Sequence, residues 1–339
     1  MAIAQEIAHS PNPSRQDASA GSPGGRAPIE LDHLSHDYGS RLALDDLSFQ
    51  VRPAEIFGLL GPNGSGKTTL FRILSTLMVP TGGHARIAGY DVATDATSVR
   101  QQTGIVFQAM SLDVKLTVRE NLMHQGHLYG LSGALLRSRS QEVLARVGLT
   151  DRARDMVETL SGGQKRRVEL AKGLIHSPSV LLLDEPSTGL DPGARIDLWH
   201  YLRMLRDEQG VSVLVTTHLM EEAEHCDRLA ILSGGKLVAH GTPAELKAAI
   251  GGDVVQFETA THMAAEALAA KIMARFAVNP SVVGNAVRVE REQGHRFLTE
   301  VVEAFPGAVE SVSVAKPSLE DVFIQRTGHR FWLDKEENS

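Results

Sequence analysis

Short runs of consecutive apolar residues recur along the chain, each bounded by polar or glycine-rich segments. A continuous apolar run of this length is typical of a strand buried on both faces of a parallel sheet. Segments whose apolar residues recur at helical spacing separate these runs, so the pattern predicts an α/β fold. The runs that predict strands are Ile56–Leu60, Gly104–Gln108, Val180–Leu183, Val211–Thr217 and Arg228–Leu232, and the alternating segment Leu47–Val51 predicts a half-buried strand.

Other stretches of the chain follow different patterns and suggest a division into domains. Amphipathic segments after residue 108 predict a helical subdomain of about residues 109–175, inserted between two strands of the main sheet. Thr242 and Glu245 form a capping box for a helix that Gly251 and Gly252 end, which places a domain boundary there. We therefore expect a main domain at 29–250, a small α+β domain at 251–330 and a tail at 331–339.

The amino-terminal residues 1–28 are rich in Ala, Ser, Pro and Gly and contain no aromatic residue. A segment of this composition cannot bury enough apolar surface to offset the entropy lost on ordering. We expect it to be a disordered leader.

Polar residues end several of the predicted strands. Asp184 and Glu185 follow an apolar run directly, Gln108 ends another, and His218 follows a third. Open α/β sheets bind ligands at the carboxyl ends of their strands, so we expect Asp184 to help hold Mg²⁺ and Glu185 to activate a water molecule. Taken singly, the Asp184–Glu185 pair is equally compatible with a strand end that faces solvent. A lone Gln108 is more often a solvated strand end, and a lone histidine is more often a surface or satisfied core residue.

A glycine-rich segment joins the strand Ile56–Leu60 to a predicted helix that contains Leu70–Leu74. It matches GxxxxGK[ST] in the strand–loop–helix context that makes this pattern informative. Glycines let backbone amides close around phosphate oxygens, and the helix amino terminus adds partial positive charge. The predicted phosphate-binding residues are Gly61, Pro62, Asn63, Gly64, Ser65, Gly66, Lys67, Thr68 and Thr69, with the Thr68 hydroxyl available to Mg²⁺.

A second glycine-containing turn, Leu160–Gln164, precedes another predicted helix. Ser161, Gly162, Gly163 and Gln164 could form a second amide-lined anion site, although a common loop or helix cap is the simpler explanation of such a turn in isolation. The basic run Lys165–Arg167 after it is expected to be a solvated helix face.

Composition narrows the functional classes. The 339 residues carry a net charge of −7, which argues against a general nucleic-acid-binding surface. Cys226 is the only cysteine, so an intramolecular disulfide is excluded and a reducing compartment is indicated. The chain has no secretory signal pattern and no apolar run of about 18 residues. If the protein serves a membrane, another polypeptide crosses it.

The order of these motifs resembles that of the nucleotide-binding subunits of ABC transporters, over about residues 29–247. The resemblance implies a P-loop NTPase core with a helical subdomain, followed here by the small α+β domain. It identifies Gly61–Thr69 as Walker A, Gln108 as the Q-loop, Leu160–Gln164 as the signature, Val180–Glu185 as Walker B, Gly189–Asp191 as the D-loop and His218 as the switch.

The resemblance also implies a mechanism. Two subunits would form a head-to-tail homodimer around two ATP molecules, so that Ser161 and Gly163 of one copy meet the γ-phosphate bound by the other. Thr68 and Gln108 would hold Mg²⁺, with Asp184 acting through a water molecule. Glu185 would polarise the attacking water, and His218 would hold that water and the γ-phosphate. Asp191 would link the two sites, and Tyr38 would stack on adenine.

The segment Pro317–Phe323 resembles the tail of the daunorubicin-resistance branch of bacterial drug exporters. That branch implies a separate transmembrane permease and a position on the cytoplasmic, inner face of the membrane. The alternative is a soluble ABC-type ATPase acting on ribosomes or nucleic acid. Those relatives usually carry two ATPase cores or a long coiled-coil insertion, which this sequence lacks. A nucleotide sensor without turnover is a third class, and Glu185 with His218 argue against it.

Overall fold

The computed structural model describes residues 26–328 and residue 331. Nearly all of the predicted leader and tail lies outside these residues. Fourteen strands run through the described part of the chain: β1 (Ile29–Asp37), β2 (Leu42–Val51), β3 (Ile56–Leu60), β4 (Gly82–Ile87), β5 (Tyr90–Asp91), β6 (Thr103–Val106), β7 (Val180–Asp184), β8 (Ser212–Thr217), β9 (Arg228–Ser233), β10 (Lys236–Gly241), β11 (Asp253–Glu258), β12 (Ser281–Val283), β13 (Ala286–Arg291) and β14 (Ser311–Ala315).

Eleven α-helices connect or follow these strands within the same described residues. They are α1 (Lys67–Leu74), α2 (Ala96–Gln102), α3 (Val118–Leu128), α4 (Gly133–Arg146), α5 (Gly162–Leu174), α6 (Pro192–Gln209), α7 (Met220–Ala223), α8 (Pro243–Ala248), α9 (His262–Phe276), α10 (Gly294–Ala304) and α11 (Leu319–Thr327).

The central sheet has six strands in the order β10-β9-β3-β8-β7-β6. Five of them are parallel, and β10 pairs antiparallel with β9. Alternate residues of β7 belong to different apolar clusters: Leu181 and Leu183 lie in one, Val180 and Leu182 in the other. The continuous apolar runs therefore predicted double-sided burial correctly, and the α/β fold class is confirmed.

Two antiparallel sheets accompany the central one. The first has the order β2-β1-β4-β5, and of its strands only part of β2 (Leu47–Val51) was predicted. The strands β4 and β5 carry mostly polar or small residues such as Gly82 and His84. The second has the order β12-β13-β11-β14 and packs against α9 and α10, which forms the predicted α+β unit. The limits of the predicted domains stay a prediction.

The helices predicted after residue 108 are present as α3 and α4, between β6 and β7. Thr117 begins α3 with a capping box to Glu120, which satisfies amide groups that a free helix end leaves unpaired. A separate prediction was too long: the strand expected at 104–108 ends at Val106, so Gln108 lies two residues beyond it, in a bend.

Helix α11 connects the carboxyl-terminal unit with the main sheet. Val322 and Phe323 share an apolar cluster with Leu60 and Ile231 of the central sheet and with Val254 of β11. Ser318 begins this helix with a capping box to Asp321, whose carboxylate also pairs with buried Arg288. Ser318 and Asp321 of the Pro317–Phe323 segment thus cap the start of this helix.

None of the helices within residues 26–328 is both long and apolar enough to cross a bilayer.

Replacing Phe323 by alanine should destabilise the protein. Its side chain is fully buried between the two units, and a phenylalanine-to-alanine change in a core costs about 3–5 kcal/mol. Urea denaturation measures this loss. Leu128→Ala is the control, since Leu128 is 82% exposed and should change the free energy of unfolding by less than about 0.5 kcal/mol. Equal losses in the two variants would contradict the packing of α11.

Candidate functional site

The ends of β7 and β8 fix the two adjacent carboxylates. Asp184 pairs in register with Thr216, whose hydroxyl donates a hydrogen bond of 2.6 Å to Asp184 Oδ1. The Glu185 amide donates to Thr216 Oγ1 at 3.0 Å and lies 3.2 Å from the Thr216 carbonyl oxygen. Glu185 has a positive φ of 44°, which turns the chain out of the strand. Thr216 therefore holds the turn that places the glutamate at the sheet edge.

Three predicted residues meet at the Glu185 carboxylate. Gln108 Nε2 donates to Glu185 Oε2 at 3.1 Å, and His218 Nδ1 lies 3.1 Å from Glu185 Oε1. The Glu185 side chain is only 13% exposed. The structure thus brings Gln108, Glu185 and His218 together from the ends of three strands, although they are far apart in the sequence.

Burial raises the pKa of Asp184, and the adjacent Glu185 charge acts in the same direction, while the Thr216 hydrogen bond opposes them. The positive charges of the buried Lys67 and Arg166 also oppose the rise, because a nearby cation favours the ionised carboxylate.

The glycine-rich segment closes tightly between β3 and α1. Gly66 precedes the helix in a left-handed conformation, with φ of 106°. A Cβ atom on Gly66 would lie 2.7 Å from the Ala43 carbonyl oxygen, and one on Gly61 would lie 2.4 Å from Ser65 Oγ. Only glycine fits these two positions, so the loop has the compact shape that the motif predicts.

Lys67 lies within this loop and is 5% exposed. Its Nζ atom donates to the carbonyl oxygens of Gly61 at 2.6 Å and Pro62 at 2.9 Å. Burial lowers the pKa of Lys67, against the attraction of Glu185 and Asp184. The Ser65 hydroxyl is also buried and has no hydrogen-bond partner among the described residues. A buried cation beside an unsatisfied hydroxyl fits an anionic group such as phosphate.

A cavity of about 170 Å³ opens beside the loop. Tyr38 lies at this cavity, is half exposed, and has its hydroxyl 3.4 Å from Thr69 Oγ1. The cavity is therefore bordered by an aromatic side chain, by a carboxylate and by the glycine-rich segment Gly61–Thr69, called here the lysine loop. Its lining comprises Tyr38, Arg41, Ala43, Asn63, Gly64, Gly66, Lys67, Thr68, Thr69 and Glu185.

The oxygen-bearing side chains near this cavity also suit a hard cation. Thr68 offers a hydroxyl, Gln108 an amide and Asp184 a carboxylate. Oxygen ligands of these kinds, few in number and supplemented by substrate phosphates, are the set that Mg²⁺ prefers.

The second predicted anion site lies elsewhere on the chain. Ser161 is the N-cap of α5 and forms a capping box with Gln164, as the simpler explanation of this turn proposed. Ser161 and Gly162 are exposed, and neither they nor Gly163 and Gln164 line the cavity beside Lys67. Within one chain the two glycine-rich turns therefore do not form a common pocket.

The turn that contains Asp191 lies next to the start of α5. Asp191 is the N-cap of α6 and accepts a hydrogen bond of 2.9 Å from the Ala194 amide. A Cβ atom on Gly163 would lie 2.8 Å from Ala194 Cβ, so glycine allows the start of α5 to approach the start of α6. Asp191 is thus close to the Ser161 turn, and it does not line the cavity beside Lys67.

The expectation that Lys165–Arg167 is a solvated face is wrong for Arg166. This residue is 9% exposed and donates to the carbonyl oxygens of Pro186 at 2.6 Å and Phe107 at 2.8 Å. It also contacts the Glu185 carbonyl oxygen at 3.3 Å. Charge runs are usually solvated, but these carbonyl groups at the ends of β6 and β7 need donors. Arg166 therefore connects α5 to the segments that carry Gln108 and Glu185.

Sequence reasoning also missed Glu222. Its carboxylate is buried and accepts hydrogen bonds from the hydroxyls of Ser187 and Thr217, the latter at 2.6 Å. Burial raises the pKa of Glu222. These bonds connect the segment after Glu185 with the segment before His218. The sequence did show two hydroxyl-bearing residues, Ser187 and Thr217, close to predicted site residues. It could not show that both bond the same carboxylate, because that depends on the fold.

Comparison with known proteins gives two family models. Residues 44–188 match the model described as ABC transporter, and residues 241–327 match the model described as ATP-binding protein DrrA1-3-like, C-terminal domain. The chain is 38% identical to the daunorubicin resistance ATP-binding protein DrrA3 of Streptomyces coeruleorubidus, over 88% of this chain and 96% of that protein. It is 35% identical to the linearmycin resistance ATP-binding protein LnrL of Bacillus subtilis (strain 168), over 88% of this chain and 98% of that protein.

A solved structure described as the ATP-binding subunit of an ABC transporter is also similar. It is 31% identical, with a TM-score of 0.59, and the match covers 66% of this chain and 93% of that one.

Replacing Arg166 by methionine should destabilise the protein by about 3 kcal/mol, because it leaves several carbonyl groups near the sheet edge without a donor. Urea denaturation measures the change. Arg167→Met is the matched control, since Arg167 is less buried and makes a single long contact, 3.5 Å to the Val147 carbonyl oxygen. If the two variants lose equal stability, Arg166 does not hold the strand ends.

Proposed function

Because the chain belongs to the ABC transporter family, in the branch of the daunorubicin-resistance ATP-binding proteins, we propose that it dimerises on ATP to power export of a drug-like small molecule through a separate permease. The family makes it an ATPase coupled to transport. The observation that carries the proposal is the position of Glu185, held between Gln108 and His218 at the cavity that contains the lysine loop.

The lysine loop would bind the phosphates of ATP. Lys67 is held beside the cavity by two carbonyl groups, and a phosphate oxygen would replace one of these bonds. The buried Ser65 hydroxyl and the amides at the start of α1 would donate to the same anion. Tyr38, at the cavity and half exposed, would cover the adenine ring.

We assign the magnesium ligands to Thr68, Gln108 and Asp184. When bound, Mg²⁺ neutralises charge that develops on the transferring phosphoryl group. Thr216 orients Asp184 by its hydrogen bond, which keeps one carboxylate oxygen engaged and directs the other away from Thr216. The raised pKa of Asp184 would fall once a divalent cation lies beside it.

Glu185 would orient and polarise the attacking water. Gln108 and His218 each contact one of its carboxylate oxygens, so both fix the direction from which a water molecule can approach. His218 would also hold that water close to the γ-phosphate. Phosphoryl transfer depends mainly on positioning and charge neutralisation, which this arrangement provides.

The separation of the two glycine-rich turns supports the proposed homodimer. Ser161, Gly162, Gly163 and Gln164 lie outside the cavity of their own chain and form an exposed helix start, where an anion is stabilised. A second copy facing the opposite way would bring this turn against the γ-phosphate, with Asp191 at the junction between the two sites.

The permease would dock on the helical subdomain at residues 109–175, on the cytoplasmic face of the membrane, with no role for nucleic acid. The main domain at 29–250 would carry the ATP site, and the domain at 251–330 would be an accessory. The relatives named above confer resistance to daunorubicin and linearmycin, which supports a drug-like cargo. The competing function, a soluble ATPase acting on ribosomes or nucleic acid, draws no support from a described residue.

Replacing Glu185 by glutamine should reduce ATP hydrolysis by about 10²-fold or more, since the amide cannot accept a proton from water. ATP binding should persist, so dimers should accumulate in Mg²⁺-ATP. Phosphate release and sedimentation velocity measure these effects.

The control for this variant is Glu221→Gln, since the Glu221 side chain is 88% exposed. It should hydrolyse ATP at the wild-type rate. Hydrolysis by the Glu185 variant at that same rate would remove Glu185 from its proposed role.

Affinity purification of the full chain from membranes in detergent should recover a multi-span protein in Mg²⁺-ATP. Mass spectrometry identifies what is recovered. Ribosomal proteins or DNA in place of a membrane protein would favour the competing function.

A further inference from the structure

The strand β14 lies at an open edge of the carboxyl-terminal sheet. The sheet order is β12-β13-β11-β14, and within residues 26–328 no strand pairs with the outer side of β14. All five residues of β14 are exposed. An exposed edge strand presents backbone donors and acceptors to any chain that can align with it. This strand is therefore available for pairing.

The sequence of this edge is complementary to itself. Glu310 precedes the strand and Lys316 follows it, each three residues from the central Ser313. Antiparallel pairing of two copies about a two-fold axis at Ser313 sets Glu310 of each copy opposite Lys316 of the other. The same register sets Val312 opposite Val314, which gives the β-branched and opposite-charge pairs that stabilise antiparallel strands.

The charges at the two ends of β14 also disfavour parallel stacking of several copies. In parallel, in-register stacking, Glu310 would lie beside Glu310 and Lys316 beside Lys316, and these like-charge pairs are unfavourable. Charged residues at an edge usually prevent pairing altogether. Here they oppose the fibre-like arrangement and favour one closed, two-fold arrangement.

The side chains at this edge are suited to a second strand. Val312 and Val314 are 38% and 37% exposed, and they lie in register with buried Phe257 and Val255. A second strand would cover the exposed part of both valines and extend the same apolar layer. Lys316 contacts Asp253 at 2.6 Å while its side chain stays 87% exposed, so its ammonium group is accessible to another carboxylate.

We propose that β14 pairs antiparallel with β14 of a second copy of this chain, which joins the two carboxyl-terminal sheets into one of eight strands. This contact needs no nucleotide and goes beyond the ATP-dependent dimer. A seam of five residues is small compared with stable protein interfaces. Its effect is to keep two copies at high effective concentration when the ATP-dependent contact opens.

Cysteine cross-linking of the nucleotide-free full chain tests the seam. In Ser313→Cys, the two new thiols would face each other across the axis, at the Cα separation that a disulfide requires. Ser281→Cys is the matched control, because Ser281 lies on β12, at the opposite edge of the same sheet. The native Cys226 is buried and does not compete.

In a glutathione buffer, the Ser313 variant should form a covalent dimer about tenfold faster than the Ser281 variant, because the seam raises the local concentration of its thiol. Non-reducing electrophoresis measures both rates. Equal rates, or cross-linking of Ser313→Cys only when Mg²⁺-ATP is present, would overturn the proposal.

A charge exchange tests the register. Glu310→Lys alone and Lys316→Glu alone should each weaken the homodimer, whereas a mixture of the two should form heterodimers in which unlike charges meet at both ends. Sedimentation equilibrium at low salt measures the dimer dissociation constants, and thermal unfolding checks that the loss of the Asp253 contact leaves the fold intact. Heterodimers no tighter than either homodimer would overturn the register.

A failure of the β14 contact can be distinguished from a failure of the proposed ATPase function. The Glu310→Lys substitution in the Glu185→Gln chain should leave the dimer that forms in Mg²⁺-ATP in place. Loss of that nucleotide-dependent dimer in the Glu185→Gln chain, with cross-linking at position 313 retained, would count against the ATPase proposal only.

Discussion

Thr216 provides the interaction on which the geometry of the site depends. Its hydroxyl donates to Asp184 and accepts from the Glu185 amide, and its position is fixed because β8 is buried on both faces. Glu185 occupies a backbone conformation that costs a non-glycine residue about 1 kcal/mol or more. These hydrogen bonds offset that cost. Without them, the chain would continue along the strand direction and carry the glutamate away from Gln108 and His218.

Two buried charged residues extend this constraint to the surrounding loops. Arg166 connects the helix that starts at Ser161 to the carbonyl groups around Phe107 and Pro186. Glu222 connects Ser187 to Thr217. Buried ionised groups are costly unless their hydrogen bonds are satisfied, and satisfied networks of this kind hold their surroundings in a single arrangement. Arg166 thus holds α5 against the segments that carry Gln108 and Glu185.

The carboxyl-terminal unit is attached to the same framework. Phe323 and Val322 of α11 share a cluster with Leu60, which directly precedes Gly61 of the lysine loop. The β14 edge lies on the other side of β11 from β13, and no β14 residue belongs to the apolar cluster of α11, so the proposed seam would be separate from that cluster. In the proposed dimer, whose ATP sites are shared between copies, a second point of association would keep the copies within reach through each cycle.

The sequence by itself determined most strands of the central sheet and the compact shape of the lysine loop. Apolar runs located β3, β7, β8 and β9, because double-sided burial requires continuous hydrophobicity, and GxxxxGK[ST] is a local motif whose backbone shape depends on its own glycines. Three other features of the site depended on the tertiary structure. It turned Arg166 inward, placed Glu222 between two hydroxyls, and ended β6 at Val106. These outcomes depend on which carbonyl and hydroxyl groups other segments bring near, and no pattern along a single stretch of chain contains that information.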